Sequence, residues 1–286
     1  MSRKSAAARD PYKALVALFM EFRGQHHLWQ VFADAVAFMA FAISNRCDPR
    51  MHDERERRYM EGIKRYSSAE QARFPLIFQA LCEAMEAKPG DILGRIFEEL
   101  GLANADRGQF FTPFHIGQLM AQLLIDPVKQ ASEIKRWGFI TLNEPACGAG
   151  AMVIAFAQSM FERGINYQQH LHVTAQDIDE RAVHMAYVQL SLLGVPAVVI
   201  HGNTLLVENR GEWLTPMHVA GEWRERLNLR RAFEAMTSLL SGIQPDDSEQ
   251  AAGGNVCPPE KSQRHGRPAC PPVKRGRHDA PRPTDS

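Results

Sequence analysis

The strongest constraint on the fold is one glycine-containing turn between two apolar segments, Asn143-Glu144-Pro145-Ala146-Cys147-Gly148-Ala149-Gly150. The apolar run before it, residues 139–142, predicts a strand, and the run after it, residues 151–156, predicts a helix. Glycine lets the backbone of such a turn approach a ligand closely, because no Cβ stands in the way. The start of the helix adds N–H groups without a partner inside the helix. This order predicts a ligand site of the nucleotide type, although many unrelated sites share the pattern.

The segments around this turn predict an α/β core. Strands are expected at about residues 139–144, 171–176 and 197–200, with helices at about 150–163 and 179–193. The β-α-β-α-β order predicts parallel strands joined by right-handed crossovers, which is half of a doubly wound sheet. Ligands of such sheets bind at the carboxyl ends of the strands. Asp177 and Ile178 follow the second predicted strand, and Asn203 and Leu205 follow the third.

The rest of the chain predicts helices and a tail. Residues 1–105 have helical apolar spacing and predict an all-helical domain, followed by a core over residues 106–240. The apolar run 31–43 contains Asp34 and is too short to span a bilayer, so we expect a buried helix. No further β-rich run is apparent after Leu205, and residues 215–240 predict one long helix. Residues 241–286 are rich in proline, glycine and basic side chains and predict a disordered tail.

Charge and cysteine content limit the class of protein. The formal net charge is zero, so any nucleic-acid contact must be local. Five scattered cysteines do not form a disulfide framework, and a reducing cytoplasm is the simpler expectation. In the tail, Cys257 and His265 recur as Cys270 and His278, which leaves open a zinc site, a basic arm for phosphates or an inert tail. No other histidines have metal-site spacing, and we predict no metal.

Three segments together resemble one enzyme family. They are Phe110-Phe111-Thr112-Pro113, the turn 144–150 and the acidic Asp177 after the second strand. They are similar to the F-x-T-P segment, the D-P-A-C-G-S-G turn and the strand-end acid of N6-adenine DNA methyltransferases, in particular the modification subunits of type I restriction systems. The resemblance covers about residues 90–206. It implies a Rossmann-like class I methyltransferase core with a shortened parallel sheet, and S-adenosylmethionine as the cofactor.

The resemblance also implies roles for individual residues. Phe110, Phe111, Thr112 and Pro113 would form a wall beside the cofactor, and Glu144 would meet its ammonium group. Pro145, Ala146, Cys147, Gly148, Ala149 and Gly150 would shape the turn around it. Asp177 would accept the ribose hydroxyls, with Ile178 beside it, and Asp179 suits the cap of the next helix better. Asn203, followed by Leu205, would lie near the adenine or serve only as a turn residue.

One expected segment is missing. Relatives hold the target adenine, flipped out of DNA, with an (N/D)-P-P-(Y/F) segment, and no such segment follows Asn203. The resemblance therefore implies a chain truncated before the catalytic motif, whose catalytic residues are unknown. The expected partners are DNA and a second protein subunit that completes the enzyme or covers the sheet edge. The alternative is a regulatory protein that binds S-adenosylmethionine, and DNA or a restriction complex, without catalysis. An NAD enzyme is disfavoured, because Met152 and Val153 stand where a third glycine is expected.

Overall fold

The computed structural model describes residues 10–102 and 114–241, apart from the side chains of residues 240 and 241. The first part holds helices α1 (Pro11–Met20), α2 (Leu28–Cys47), α3 (His52–Ile63), α4 (Ser68–Gln71), α5 (Arg73–Ala87) and α6 (Ile92–Glu99). The second part holds α7 (Phe114–Leu124), α8 (Pro127–Trp137), β1 (Ile140–Glu144), α9 (Ala151–Glu162), α10 (Tyr167–His170), β2 (Leu171–Asp177), α11 (Glu180–Leu192), β3 (Ala197–His201), β4 (Gly211–Leu214), α12 (Pro216–Ala220) and α13 (Trp223–Ser241). The predicted α/β class is confirmed. The predicted domain boundary at residue 105 and the tail 242–286 lie outside the described residues.

Helix α2 is the centre of the helical part. By length and composition alone it could cross a membrane, but more than half of the window that passes this test is buried. It packs against α3, α11 and β4. The predicted buried helix is therefore confirmed, and it extends beyond residues 31–43 at both ends.

Local sequence signals set the ends of the other helices in this part. Ser67 and Glu70 form the predicted capping box, in which each side chain bonds to the backbone N–H of the other residue. Pro75 lies in the first turn of α5, where its missing N–H does no harm, and the short α4 ends just before it. The Asp91 carboxylate accepts a hydrogen bond from Gly94 N at 2.8 Å and caps α6 as expected.

The sheet has the order β1-β2-β3-β4. β1, β2 and β3 are parallel, and their bounds differ from the predicted ones by no more than one residue. Their register places Glu144 beside Ala175 and Asp177 beside His201, so the three carboxyl ends meet at one edge of the sheet. The predicted β-α-β-α-β unit is thus present.

Two expectations for the region after β3 are wrong. A fourth strand, β4, pairs antiparallel with β3, so the sheet is mixed rather than purely parallel. The first residues of β4, Gly211 and Glu212, give no strand signal in the sequence. The strand forms because pairing with β3 satisfies the hydrogen-bonding groups of its backbone. The predicted single helix over 215–240 is divided into α12 and α13, because the chain turns at Gly221 and Glu222, where Glu222 has a φ of 51°.

The two faces of the sheet are covered unequally. On one face α9 lies over β1, α11 over β2 and β3, and α2 over β4, while α7 packs beside α9. On the other face, α12 and the start of α13 cover the amino-terminal ends of the strands, where Trp223 stacks near His172 and Phe139. From the sequence, the open side of β1 is expected to be covered by the helix 215–240 or by another subunit. The helix contacts Phe139 just before β1 and leaves Thr141 and Asn143 exposed.

Candidate functional site at the carboxyl edge of the sheet

Hydrogen bonds join the β1–α9 turn to the end of β2. Gly148 N donates to the Asp177 carboxylate at 2.8 Å, and Cys147 N donates to the carbonyl of Gln176 at 2.9 Å. Two separate sequence signals predict that the turn 144–150 and the Asp177 carboxylate contact the same ligand. They are in direct contact.

The segment after β3 reaches the same place. The Thr204 hydroxyl donates to the carbonyl of Pro145 at 2.6 Å, and Gly202 N donates to the carbonyl of Asp177 at 2.9 Å. Residues following all three parallel strands therefore meet within hydrogen-bond distance. This is the edge at which doubly wound sheets bind their ligands.

Glycine is required at two positions of the turn. Gly148 has a φ of 53° and Gly150 a φ of 93°, in the left-handed region that other residues enter only with strain. A Cβ on Gly150 would also lie 3.5 Å from the Cα and Cβ of Ala186, so α9 and α11 pack closely here. The turn thus has the shape that its sequence predicts.

Of the two acids after β2, Asp179 has the capping role that was expected. Asp179 caps α11 by accepting a hydrogen bond from Arg181 N at 2.9 Å. The Asp177 carboxylate accepts one bond on each oxygen, from Gly148 N and Asp179 N. Each oxygen keeps a further acceptor site, because an ionised carboxylate accepts about four hydrogen bonds in all. Asp177 is thus held rigidly, is only half-buried, and can still accept from two hydroxyls.

The turn has a negative potential. Burial raises the pKa of the Cys147 thiol far above its ordinary value, and the charges of Asp177 and Glu144 raise it further. The thiol is therefore protonated and inert, which fits the sequence argument against a nucleophile. The same two carboxylates favour a cation over an anion at this edge.

The backbone N–H groups of the turn are mostly occupied. Those of Cys147, Gly148 and Gly150 donate to protein acceptors at 2.8–2.9 Å, and that of Ala146 lies 3.4 Å from the Glu144 carboxylate. A pyrophosphate needs free N–H donors and a positive environment. This turn offers a glycine surface beside two carboxylates, which suits an ammonium or sulfonium group and disfavours NAD.

Residues 203–206, which follow β3, form a turn that the Asn203 side chain stabilises. The Asn203 side-chain oxygen accepts bonds from Leu205 N and Leu206 N at 3.0 and 3.3 Å, so Asn203 has the turn role. Its amide nitrogen is the group left to contact a base. Leu205 and Ile178 are exposed, and Val207 has a φ of 56°, which is strained for a β-branched residue.

Sequence reasoning missed one residue that organises this edge. The Gln189 side chain, fully buried in α11, donates to the carbonyl of Ala149 at 2.8 Å and to the Asp91 carboxylate at 2.9 Å. Its oxygen accepts from Leu93 N at 3.0 Å. It thereby ties the turn to the start of α6. A lone amide among the apolar residues of α11 was the only signal in the sequence.

Four predicted site residues, Phe110, Phe111, Thr112 and Pro113, lie outside the described residues. Among those that are described, Gly148 contacts Asp177, and Pro145 contacts Thr204, a residue that the sequence analysis did not predict. The cofactor roles of all of them stay predictions.

Comparison with known proteins agrees with the resemblance found in the sequence. Residues 88–220 match the family described as N-6 DNA methylase. This range contains the turn, Asp177, Asn203 and β1 to β4. A search of curated proteins finds no match.

One solved structure is similar at low identity. It is a Listeria monocytogenes protein assigned to the class I S-adenosylmethionine-dependent methyltransferases, with 14% identity and a TM-score of 0.38. The alignment covers 68% of this chain and 53% of that one, so the chain spans about half of its length.

Proposed function

Because residues 88–220 match the N-6 DNA methylase family, we propose that the chain binds S-adenosylmethionine at the carboxyl edge of its sheet. The observation that supports this most is the contact between Gly148 N and Asp177, which joins the glycine turn to the strand-end acid. When bound, S-adenosylmethionine supplies an electrophilic methyl group on a sulfonium centre.

The residues of the chain would bind and orient this cofactor. The Asp177 carboxylate would accept the ribose hydroxyls on its two remaining acceptor sites. Glu144 would pair with the ammonium group, and both carboxylates would stabilise the positive charge at the turn. The two carboxylates favour this ligand over a dinucleotide, because they repel a phosphate.

The transfer reaction that we propose is methylation of the exocyclic N6 amine of adenine in DNA. The target base must leave the duplex and meet the methyl group in line with the sulfur. The sequence after Asn203 holds no (N/D)-P-P-(Y/F) segment to bind the base, so we propose that a second protein subunit supplies it.

The free thiols of Cys47, Cys82 and Cys147 fit a reducing cytoplasm.

Titration calorimetry of the purified chain tests the binding half. We expect saturable heat with S-adenosylmethionine and none with NAD at equal concentration. No heat and no thermal shift at millimolar S-adenosylmethionine would reject the proposal.

The missing segment also favours a second candidate, a regulatory protein that binds S-adenosylmethionine without catalysis. Tritium transfer from labelled S-adenosylmethionine to adenine-containing DNA separates the two. Transfer by the chain, alone or with a second subunit, supports the enzyme. Binding without transfer in the presence of that subunit supports the regulator.

A further inference from the structure

A cleft lies between helix α13 and the face of the sheet that α9 and α11 leave uncovered. Side chains alternate between the two faces of a strand, so the residues paired across β2, β3 and β4 form rows on this face. The space between these rows and the helix, the α13 cleft, has a volume of about 210 Å³. Its lining includes Thr174, Val198, Ile200, Arg224, Asn228 and Arg231.

Two arginines of the α13 cleft have no carboxylate partner in the described part of the chain. Arg224 and Arg231 lie two helical turns apart with Asn228 between them, so all three project from one side of α13. Neither arginine forms an ion pair with a described residue. Arg230 on the same helix differs, because two glutamates pair with it. The guanidinium groups of Arg224 and Arg231 therefore keep their donors for water or a ligand.

Two buried histidines at the inner end of the α13 cleft lie in a positive environment. His172 and His218 belong to its lining and are in hydrogen-bond contact. The pKa of His172 is lowered mainly by burial and in addition by positive neighbours such as Arg231. The pKa of His218 is also lowered, mainly by burial and in addition by Arg224. The two arginines therefore lie close enough to the histidines to set the potential of the cleft.

Acidic side chains near the α13 cleft do not neutralise it. Glu212 is the one acid among its described lining residues, and its carboxylate accepts a hydrogen bond from Asn209 Nδ2 at 2.9 Å. Glu225 raises the pKa of His218 but lies outside the lining. Two guanidinium groups thus face one engaged carboxylate, and the cleft favours an anion. The carboxyl edge of the same sheet favours a cation.

We propose that the α13 cleft binds a phosphorylated ligand, whose phosphate group is held by Arg224 and Arg231. A planar guanidinium group donates two parallel hydrogen bonds and matches a phosphate in geometry. Two helical turns separate the arginines by about 10 Å along the axis, a distance that two long side chains can close around one phosphate. Asn228, between them, and the Thr174 hydroxyl, on the opposite wall, supply further donors.

The floor of the α13 cleft is apolar and limits the rest of the ligand. Val198 and Ile200 of β3 and Leu227 of α13 are half-buried there. A phosphate ion leaves these side chains uncovered, whereas an apolar group attached to the phosphate would cover them. No residue of this lining was assigned to the cofactor, so the inference does not rest on the proposed function.

Titration calorimetry of the purified chain in phosphate-free buffer at constant ionic strength tests the inference. Phenyl phosphate is the probe, because it joins a phosphate to an apolar ring and lacks the ribose and ammonium groups of S-adenosylmethionine. We expect saturable binding of phenyl phosphate and weaker binding of inorganic phosphate. Benzoate, which carries the same ring on a singly charged carboxylate, should bind about tenfold or more weakly than phenyl phosphate.

Substitutions assign the binding to the two arginines. Arg224→Gln and Arg231→Gln should each weaken phenyl phosphate about tenfold or more, because a charge-assisted pair of hydrogen bonds is lost. Both side chains are exposed, so the variants should fold. Arg136→Gln, at an exposed arginine of α8 outside the cleft, is the matched control and should bind as the unchanged chain does. Ile200→Ala should weaken phenyl phosphate but not inorganic phosphate.

Nuclear magnetic resonance of the histidine rings locates the ligand. Phenyl phosphate should shift the ring signals of His172 and His218 and leave that of His52, at the start of α3, in place.

Fluorescence anisotropy with a labelled DNA duplex identifies the source of the phosphate, since the DNA backbone carries the same group. A loss of DNA affinity in Arg224→Gln and Arg231→Gln, but not in Arg136→Gln, would assign it to DNA. Unchanged or absent DNA affinity would assign it to a small phosphorylated molecule.

Four outcomes would overturn the inference. They are no saturable heat with either phosphate compound, equal affinity for benzoate, equal weakening by Arg136→Gln, and unchanged ring signals of His172 and His218 at saturating phenyl phosphate.

Discussion

The two ends of the parallel strands have opposite chemistry. At the carboxyl ends, Asp177 and Glu144 are half-buried, and the chain turns through glycines in the left-handed region. At the amino-terminal ends, His172 is 2% exposed and Trp223 is fully buried, and α12 and α13 close over them. The same short sheet thus has a dry, packed end that stabilises the fold and an open, acidic end that can bind a ligand.

This difference explains where the titratable groups are perturbed. The pKa of His172 is lowered to about 3, mainly by burial and in addition by the neighbouring His218 and Arg231. His172 and His218 are in hydrogen-bond contact at 2.9 Å, so at least one of the pair is neutral. At the other end, the Asp177 carboxylate accepts hydrogen bonds from Gly148 N and Asp179 N. Substitutions at the two ends should therefore affect different properties.

The largest expected effect is at the dry end. Trp223→Ala should lower the free energy of unfolding by about 3–5 kcal/mol, because it leaves a large cavity against Phe139 and His172. Chemical denaturation measures the loss, and Leu229→Ala on the same helix, which is exposed, is the matched control with little change. The affinity of the folded variant for S-adenosylmethionine should not change; a loss of affinity would break the division between the two ends.

The next largest effect is at the acidic end. Asp177→Asn should weaken binding of S-adenosylmethionine about 30- to 100-fold, because two hydrogen bonds to a charged acceptor are lost or weakened. Calorimetry measures the affinity. Asp179→Asn, which keeps a capping side chain on α11, should bind as the unchanged chain does. Equal weakening by the two substitutions would show that only local folding is being measured.

Gln189 tests whether the binding turn depends on the helical part. Gln189→Leu should lower the free energy of unfolding by about 2 kcal/mol, because the Ala149 carbonyl and the buried Asp91 carboxyl lose their donor. The exposed Gln79→Leu should change it by less than about 0.5 kcal/mol. Binding of S-adenosylmethionine should weaken as well, and unchanged binding would show that the turn holds its shape alone.

The smallest effect is the acid sensitivity of two buried histidines, His172 at the dry end and His184 in α11. The folded-state pKa values of His172 and His184, about 3 and about 4, are below the ordinary value of 6.5. As the pH falls below 6.5, the unfolded chain takes up these protons first, so stability is lost progressively down to about pH 3 to 4. At pH 5 each histidine should have lowered the free energy of unfolding by about 1–2 kcal/mol relative to neutral pH.

Denaturation at pH 7 and pH 5 measures this loss. His172→Gln, which does not titrate, should show a smaller decline between the two pH values than the unchanged chain. An equal decline would assign the acid sensitivity to other groups.

Sequence reasoning succeeded where the determining contacts are local. The turn at Gly148 and Gly150 and the cap at Asp179 follow from residues within a few positions of one another. Sequence reasoning failed where residues that are distant in the chain determine the local structure. β4 exists because β3 pairs with it, and the buried Gln189 is satisfied by Asp91 and Leu93, about a hundred positions away in the chain. The apolar residues Ile116, Leu119, Met120 and Leu123 of α7 are exposed in the described part of the chain, which could be seen only in three dimensions.

The central claim is that the glycine turn is the cofactor site. Nuclear magnetic resonance of the chain labelled with [15N]glycine, recorded with and without S-adenosylmethionine, tests it most directly. The account predicts that the amide signals of Gly148 and Gly150 shift on addition of the cofactor, while those of Gly24 and Gly62 in the helical part stay in place. Saturating S-adenosylmethionine that leaves the Gly148 and Gly150 signals unchanged would contradict it.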